Sequence, residues 1–177
     1  MSERVLYLVI CAAGPADRVE TMVQLAQRDG WSVYCIATPA AVEHFLDLAR
    51  LEAACGHQVR TTYRKRGDLS FPRADAVIVA PATYNTINKW AAGSADTYAL
   101  NMLAELTGLG SVPIVVLPFV NAALAANRVF GRSVAELHAS GVTVLLGDGG
   151  FVPHPPRTGN TVLDTYPWAA ALEAASP

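Results

Sequence analysis

Apolar positions along the chain alternate between two patterns, and the alternation predicts the fold. Val5 to Cys11 is a continuous apolar run, which marks a strand buried on both faces. Asp17 and Glu20 have capping-box spacing and open a helix to about Arg28, ended by Asp29-Gly30. Ser32 to Ala37 is a second strand. Thr38-Pro39 then places a good N-cap before a proline at the first helical position, opening a helix to about Ala53. Gln58 to Thr62 predicts a short third strand, and the polar stretch Tyr63 to Arg73, broken by Gly67 and Pro72, a loop.

Ala76 to Ala80 is the fourth strand. A helical stretch follows, through Ile87 and Trp90, and breaks near Gly93. Gly108-Leu109-Gly110 ends the helix that carries Leu100, Leu103 and Leu106. Pro113 to Leu117 is another buried strand. Asn121 to Ser140 is helical with a break near Gly131, Gly141 stands where a C-terminal cap belongs, and Val142 to Leu146 is the last core strand. The tail from Gly147 to Asn160 carries four Gly and three Pro and reads as a mobile loop, before a short helix opened by Tyr166-Pro167-Trp168. Strands alternating with helices predict an α/β fold: a Rossmann-like or flavodoxin-like doubly wound parallel sheet in three layers. One domain over 1–177 is expected, with 147–177 as a substrate-side loop and terminal helix.

Composition narrows the function. Apolar residues are 52% of the 177 and charged residues 16%, enough for one well-buried domain. A net charge of −2 and a pI near 6.0 offer no footprint for nucleic acid or an anionic membrane. Arg64-Lys65-Arg66 reads as a solvated loop. Cys11, Cys35 and Cys55 lack metal-ligand spacing, so no metal is expected, and the first two sit in apolar runs as small buried hydrophobes. A reducing, cytoplasmic setting follows, with no signal peptide.

The chemistry concentrates at Pro81-Ala-Thr-Tyr-Asn-Thr-Ile-Asn-Lys89, where a buried strand ends and a helix begins. A helix start presents free backbone N–H groups and a positive dipole end, which suit a phosphate. Thr83, Asn85 and Thr86 can add side-chain hydrogen bonds. Helix capping alone explains the same residues equally well. Four strand ends carry small or polar turns: Gly14, Thr38, Thr83 to Thr86, and Pro118 to Asn121. Ligands of doubly wound sheets sit at such ends, so the convergence fits a nucleotide or flavin, although there is no GxGxxG.

This stretch, followed by Ala92-Gly93-Ser94-Ala95-Asp96, resembles the PASANT signature of the homo-oligomeric flavin-containing cysteine decarboxylases. That family includes phosphopantothenoylcysteine decarboxylases and lantibiotic peptidyl-cysteine decarboxylases. The resemblance extends more weakly from Val5 to about Leu146. It implies FMN held by Gly14-Pro15-Ala16, Thr38, Thr83, Tyr84, Asn85 and Thr86, with the isoalloxazine toward Asn85 and the turn that holds Phe119. It also implies a homotrimer or dodecamer with flavin at the interface, where Trp90 is either an interface aromatic or a core residue. Pro15 departs from the family's frequent Ser and removes a hydroxyl and a backbone N–H.

The catalytic positions depart further. The family's His aligns with Gly67, which has no proton-transfer group. The family's Pro-x-Met-Asn-x-x-Met-Trp aligns with Pro118 to Ala125: Asn121, a substrate-binding position in the family, is kept, while both Met and the Trp are replaced. Among the four histidines, His44 reads as exposed on its helix, His57 as a loop residue and His138 as a helix-end cation. His154 is the best replacement catalytic group, by analogy with lid loops that supply residues. The leading expectation is a flavin-dependent enzyme with altered chemistry on a small carboxylic acid or thiol. A non-catalytic flavin-binding protein and a flavin alkyl-transferase are the alternatives.

Overall fold

The computed structural model describes residues 3–176. Its centre is a five-stranded, all-parallel sheet in the order β2-β1-β3-β4-β5. The strands are β1 (Arg4–Ile10), β2 (Trp31–Ala37), β3 (Ala76–Ala82), β4 (Ile114–Pro118) and β5 (Thr143–Val144). Every residue of β3 and β4 is buried, as an interior parallel strand covered on both faces requires.

Helices cover the two faces separately. On one side α1 (Glu20–Arg28), α3 (Leu48–Cys55) and α8 (Trp168–Ala175) bury Met22, Leu51 and Trp168 against Leu6, Leu8 and Ile78. On the other side α4 (Tyr84–Ala91), α5 (Tyr98–Leu109) and α7 (Arg128–Ala139) bury Ile87, Leu103 and Phe130 against Val77, Val79 and Val116. The strands' two-residue period sends alternate side chains to opposite layers, which gives the expected three-layer fold. Trp90 belongs to the second layer. It is buried and donates its indole N–H to Thr107 Oγ1 at 3.2 Å, so it is a core residue of the single chain.

Several boundaries differ from the expected ones. Pro15 starts a 3-10 turn (Gly14–Arg18) ahead of α1, so Asp17 caps nothing, and Glu20 pairs instead with Arg50 at 2.7 Å. The helix expected to reach Ala53 is two helices. Phe45 leaves helical geometry after α2 (Pro39–His44), and the Asp47 side chain accepts the Arg50 N–H at 3.1 Å to start α3. The expected third strand is one isolated bridge, Arg60 to Ile36, because the chain turns away as the Arg60 guanidinium settles on Phe71, 3.8 Å from its ring centre. The helix from Asn121 breaks at Asn127, not Gly131: Asn127 caps α7 by accepting the Val129 N–H at 2.9 Å, which separates it from the short α6 (Ala122–Ala125). The last strand keeps only Thr143–Val144, since Leu146 turns to bridge Phe151.

The tail is fastened rather than loose. Asn121 bridges His154, and the Ala122 N–H donates to the His154 carbonyl at 2.7 Å. Phe151 is buried, and Tyr166 donates its hydroxyl to the Leu117 carbonyl at 2.6 Å. No helix among the described residues is long and apolar enough to cross a membrane.

Candidate flavin site

The strand order reverses direction between β1 and β3, because the chain goes from β1 outward to β2 and then returns to the other side of β1. The carboxyl ends on either side of such a reversal splay apart and leave a crevice. A cavity of about 710 Å³ lies there, within the usual range for a small-ligand site.

The chain's local chemistry points four helix starts into this cavity. Thr38, Thr83, Thr97 and Asn121 all line it, and each caps a helix. Their side-chain oxygens accept N–H groups from Ala41 at 3.4 Å, Thr86 at 3.1 Å, Leu100 at 3.2 Å and Leu124 at 3.0 Å. Each cap satisfies one amide; on α2 the first position is Pro39, which has no N–H, and on α6 the Ala122 amide is taken by the His154 carbonyl. On α4 the Tyr84 and Asn85 N–H groups have no hydrogen-bond partner among the described residues. Amides and dipole ends converging from several helices favour an anionic group.

The structure gathers most of the expected residues around this cavity. Gly14, Thr38, Thr83, Tyr84, Asn85, Thr86, Phe119, Asn121 and His154 line it. Asn85 is exposed, and its side chain is engaged with no other residue among those described. Pro15 and Ala16 are buried in the 3-10 turn and do not line the cavity. Gly14 has a steric role. A Cβ there would come within 2.8 Å of Leu163 Cδ2 and 3.4 Å of Phe119, so any side chain at this position would push the end of Leu163 away from the β1 turn. Thr83 donates its hydroxyl proton to Thr86 Oγ1 at 3.0 Å, and the Thr86 side chain is in turn hydrogen-bonded to the buried Cys11 thiol.

Gly67 lies elsewhere. It is exposed, at φ +101°, with open space where a side chain would be. It lines no part of the cavity. His154, in contrast, is 8% exposed, lines the cavity and stands beside Asn121, to which its backbone is bridged. Its Nδ1–H donates to the Pro155 carbonyl at 2.8 Å. A carbonyl can only accept, so Nδ1 carries a proton, and in the neutral form of the ring the lone pair lies on Nε2. The ring packs 5.1 Å from Phe119, and Gly159 lies behind it, where a Cβ would stand 3.4 Å from Nε2. His44 and His138 are exposed, and His57 stacks on Tyr34 at 4.0 Å.

Some lining residues escaped the sequence reading. Pro39, Ala40, Lys89, Asp96, Thr97 and Leu100 complete the wall, with Lys89 and Asp96 in an ion pair. Thr97 was findable, because a Thr three residues before Leu100 is an N-cap signal. Beneath the floor, burial pushes the Cys11 thiol up from its ordinary pKa, partly offset by hydrogen bonds with the Thr86 side chain and the Thr83 backbone. A buried, protonated thiol packs as a small hydrophobe.

Similarity to known proteins agrees with this geometry. Three solved structures share the fold across nearly the whole chain. A structure titled as the FMN-dependent cysteine decarboxylase TvaF from thioviridamide biosynthesis is 23% identical, with a TM-score of 0.72, covering 99% of this chain and 100% of that one. One titled as the FMN-dependent cysteine decarboxylase SpaF is 22% identical, with a TM-score of 0.68, covering 98% and 97%. The FMN binding protein AtHal3 is 18% identical, with a TM-score of 0.67, covering 93% and 95%. Among curated proteins, no sequence match is found. The family described as Flavoprotein matches residues 2–165, and the chain therefore belongs to the Flavoprotein family.

Proposed function

We propose that this protein is an FMN-dependent enzyme acting on a small carboxylic acid or thiol, with proton transfer assigned to His154 in place of the position at Gly67. The observation that carries the proposal is the cavity of about 710 Å³, where four helix starts, Asn121 and His154 face one space. The residues present fit FMN. Free amides at Tyr84 and Asn85 suit its phosphate, and Asn85 suits a ring carbonyl or nitrogen. The apolar surfaces of Leu100, Phe119 and Val120 suit a flat ring. FMN, when bound, supplies two-electron oxidation chemistry.

The chain's own residues account for the rest. Asn121 uses its Oδ1 on the Leu124 N–H at 3.0 Å, which orients its amide N–H₂ as a donor to a substrate carboxylate or carbonyl. His154 offers Nε2 as the proton acceptor, with its tautomer fixed by Pro155. Phe119 and Phe151 keep water from the ring, with Phe151 buried and Phe119 partly so. FMN titration with fluorescence, followed by carbon dioxide release from thiol-bearing carboxylic acids, tests the reading. A colourless protein that FMN does not quench overturns it.

A non-catalytic flavin-binding role has one observation in its favour: open space at Gly67, where the resembled family has its His. It predicts stoichiometric flavin and no turnover of any thiol acid, with or without His154. A homotrimer or a multiple of trimers and a cytoplasmic setting complete the proposal. Light scattering that reports a monomer at micromolar concentration overturns the first of these.

A further inference from the structure

The three cysteines do not share one environment. Cys11 is fully buried in the layer of α4, α5 and α7. Cys35 and Cys55 lie in the opposite layer, where α3 packs on β2. Cys35 stands in β2 and is 0% exposed, whereas Cys55 is the last residue of α3 and is 4% exposed. Cys55 is therefore the thiol that a small solute reaches first.

Backbone geometry brings this pair together. Gly56 ends α3 in the left-handed conformation, at φ +77°. The chain then returns along β2. There the Arg60 N–H donates to the Cys35 carbonyl at 3.0 Å, and the Ala37 N–H donates to the Arg60 carbonyl at 2.9 Å. Glu52 fastens the return by accepting the Val59 N–H at 2.9 Å. With both flanks fixed, the Cys35 and Cys55 thiols share a side-chain hydrogen bond. Cys55 also donates its S–H to the His57 carbonyl at 3.2 Å. The pair has no third ligand for a metal among the described residues.

The two sulfurs differ in kind. The shared bond pushes the Cys35 thiol well above its ordinary pKa, with burial and then the Glu20 carboxylate adding to it. The same bond lowers Cys55, burial opposing and the His57 backbone assisting. A sulfur that ionises readily attacks, and a neighbour that keeps its proton resolves the product.

We propose that Cys35 and Cys55 form a redox-active dithiol, a modification site that a small peroxide converts to an intramolecular disulfide. The Cys55 thiolate attacks the peroxide: an S–O bond forms, the O–O bond breaks, and the leaving oxygen takes up a proton. The Cys35 sulfur then attacks the Cys55 sulfur. An S–S bond forms, the S–O bond breaks, and the Cys35 proton leaves with the hydroxyl as water. Two electrons pass from the two thiols to the peroxide, and a thiol reductant returns them. The proposal rests on these two sulfurs and not on the flavin assignment.

Treatment of the folded full chain with a small excess of hydrogen peroxide near neutral pH tests this, followed by alkylation in denaturant and peptide mapping by mass spectrometry. The wild type is expected to lose two alkylation sites and to yield a peptide linked through Cys35 and Cys55, with Cys11 still alkylated. Dithiothreitol is expected to restore both sites. In Cys35→Ala, Cys55 is expected to stop at the sulfenic acid, which dimedone traps. The wild-type result stands whether or not that variant folds. A folded wild type that forms no Cys35–Cys55 link overturns the proposal, as does a link that appears only in urea. A bond from either sulfur to Cys11 or to a second chain overturns it too.

Discussion

Two irregular segments flank this sheet, and they behave oppositely. Residues 61–72 are mostly exposed, with Leu69 89% exposed and Gly67 facing open space. Residues 147–163 look as irregular in sequence, yet Phe151 is 4% and His154 8% exposed. The difference lies in what each segment brings to the sheet. The second carries aromatic rings that fill the space around Phe119, and its backbone bridges the end of β4. The first carries cations, which stay hydrated. The position that aligns with the resembled family's His lies on the first segment, and the histidine that lines the cavity lies on the second.

The largest effect expected is on turnover. His154→Ala should lower it about 10²–10⁴-fold on any acid the wild type converts, because general acid–base catalysis contributes that much. Gly67→His should change little. The readout is carbon dioxide release. A large gain from Gly67→His with no loss from His154→Ala would return the chemistry to the first segment.

Stability should split the same way. Phe151→Ala removes a buried ring and should cost about 3–5 kcal/mol, whereas Leu69→Ala should stay within about 0.5 kcal/mol. Urea unfolding measures both. Equal costs would show that 147–163 is no better anchored than 61–72.

A smaller effect concerns flavin affinity. Asn85→Ala should weaken FMN binding by about 1–3 kcal/mol, roughly five- to 150-fold, through a lost buried hydrogen bond. Fluorescence titration reads it, and an unchanged affinity would leave Asn85 as a helix-start residue alone.

The smallest effect is a pH dependence that separates the phenols. Desolvation by burial pushes Tyr7 up to about 12, and it pushes Tyr166, under the second segment, well above the ordinary value near 10. A phenol whose folded pKa is raised keeps its full contribution below about pH 10. It loses that contribution as pH rises through the folded value. Absorbance at 295 nm should show Tyr166 ionising only as the protein unfolds in strong alkali. A Tyr166→Phe variant with an unchanged alkaline titration would contradict this.

The sheet was legible because its signal is local. Val5 to Cys11 and Ala76 to Ala80 are apolar runs with nothing else to do in water. The cap residues Thr38, Thr83 and Asn121 act within three positions of themselves. Breaks at Phe45 and Asn127 were not legible. A run such as Phe45-Leu46 fits a continuing helix as well as a turn packed on the core, and only the competing cap at Asp47 decides.

The sequence by itself therefore determined the parallel sheet, its alternation with helices, and the cluster of capping side chains at the strand ends. Each follows from hydrophobic burial or from hydrogen bonds a few residues long. Tertiary structure alone decided that Thr97 joins the other caps, that Gly14 makes room for Leu163, and that His154 stands beside Asn121 while Gly67 stands apart. Those are contacts between segments distant in sequence. They depend on how the layers close over the sheet, and no local pattern of residues encodes that closure.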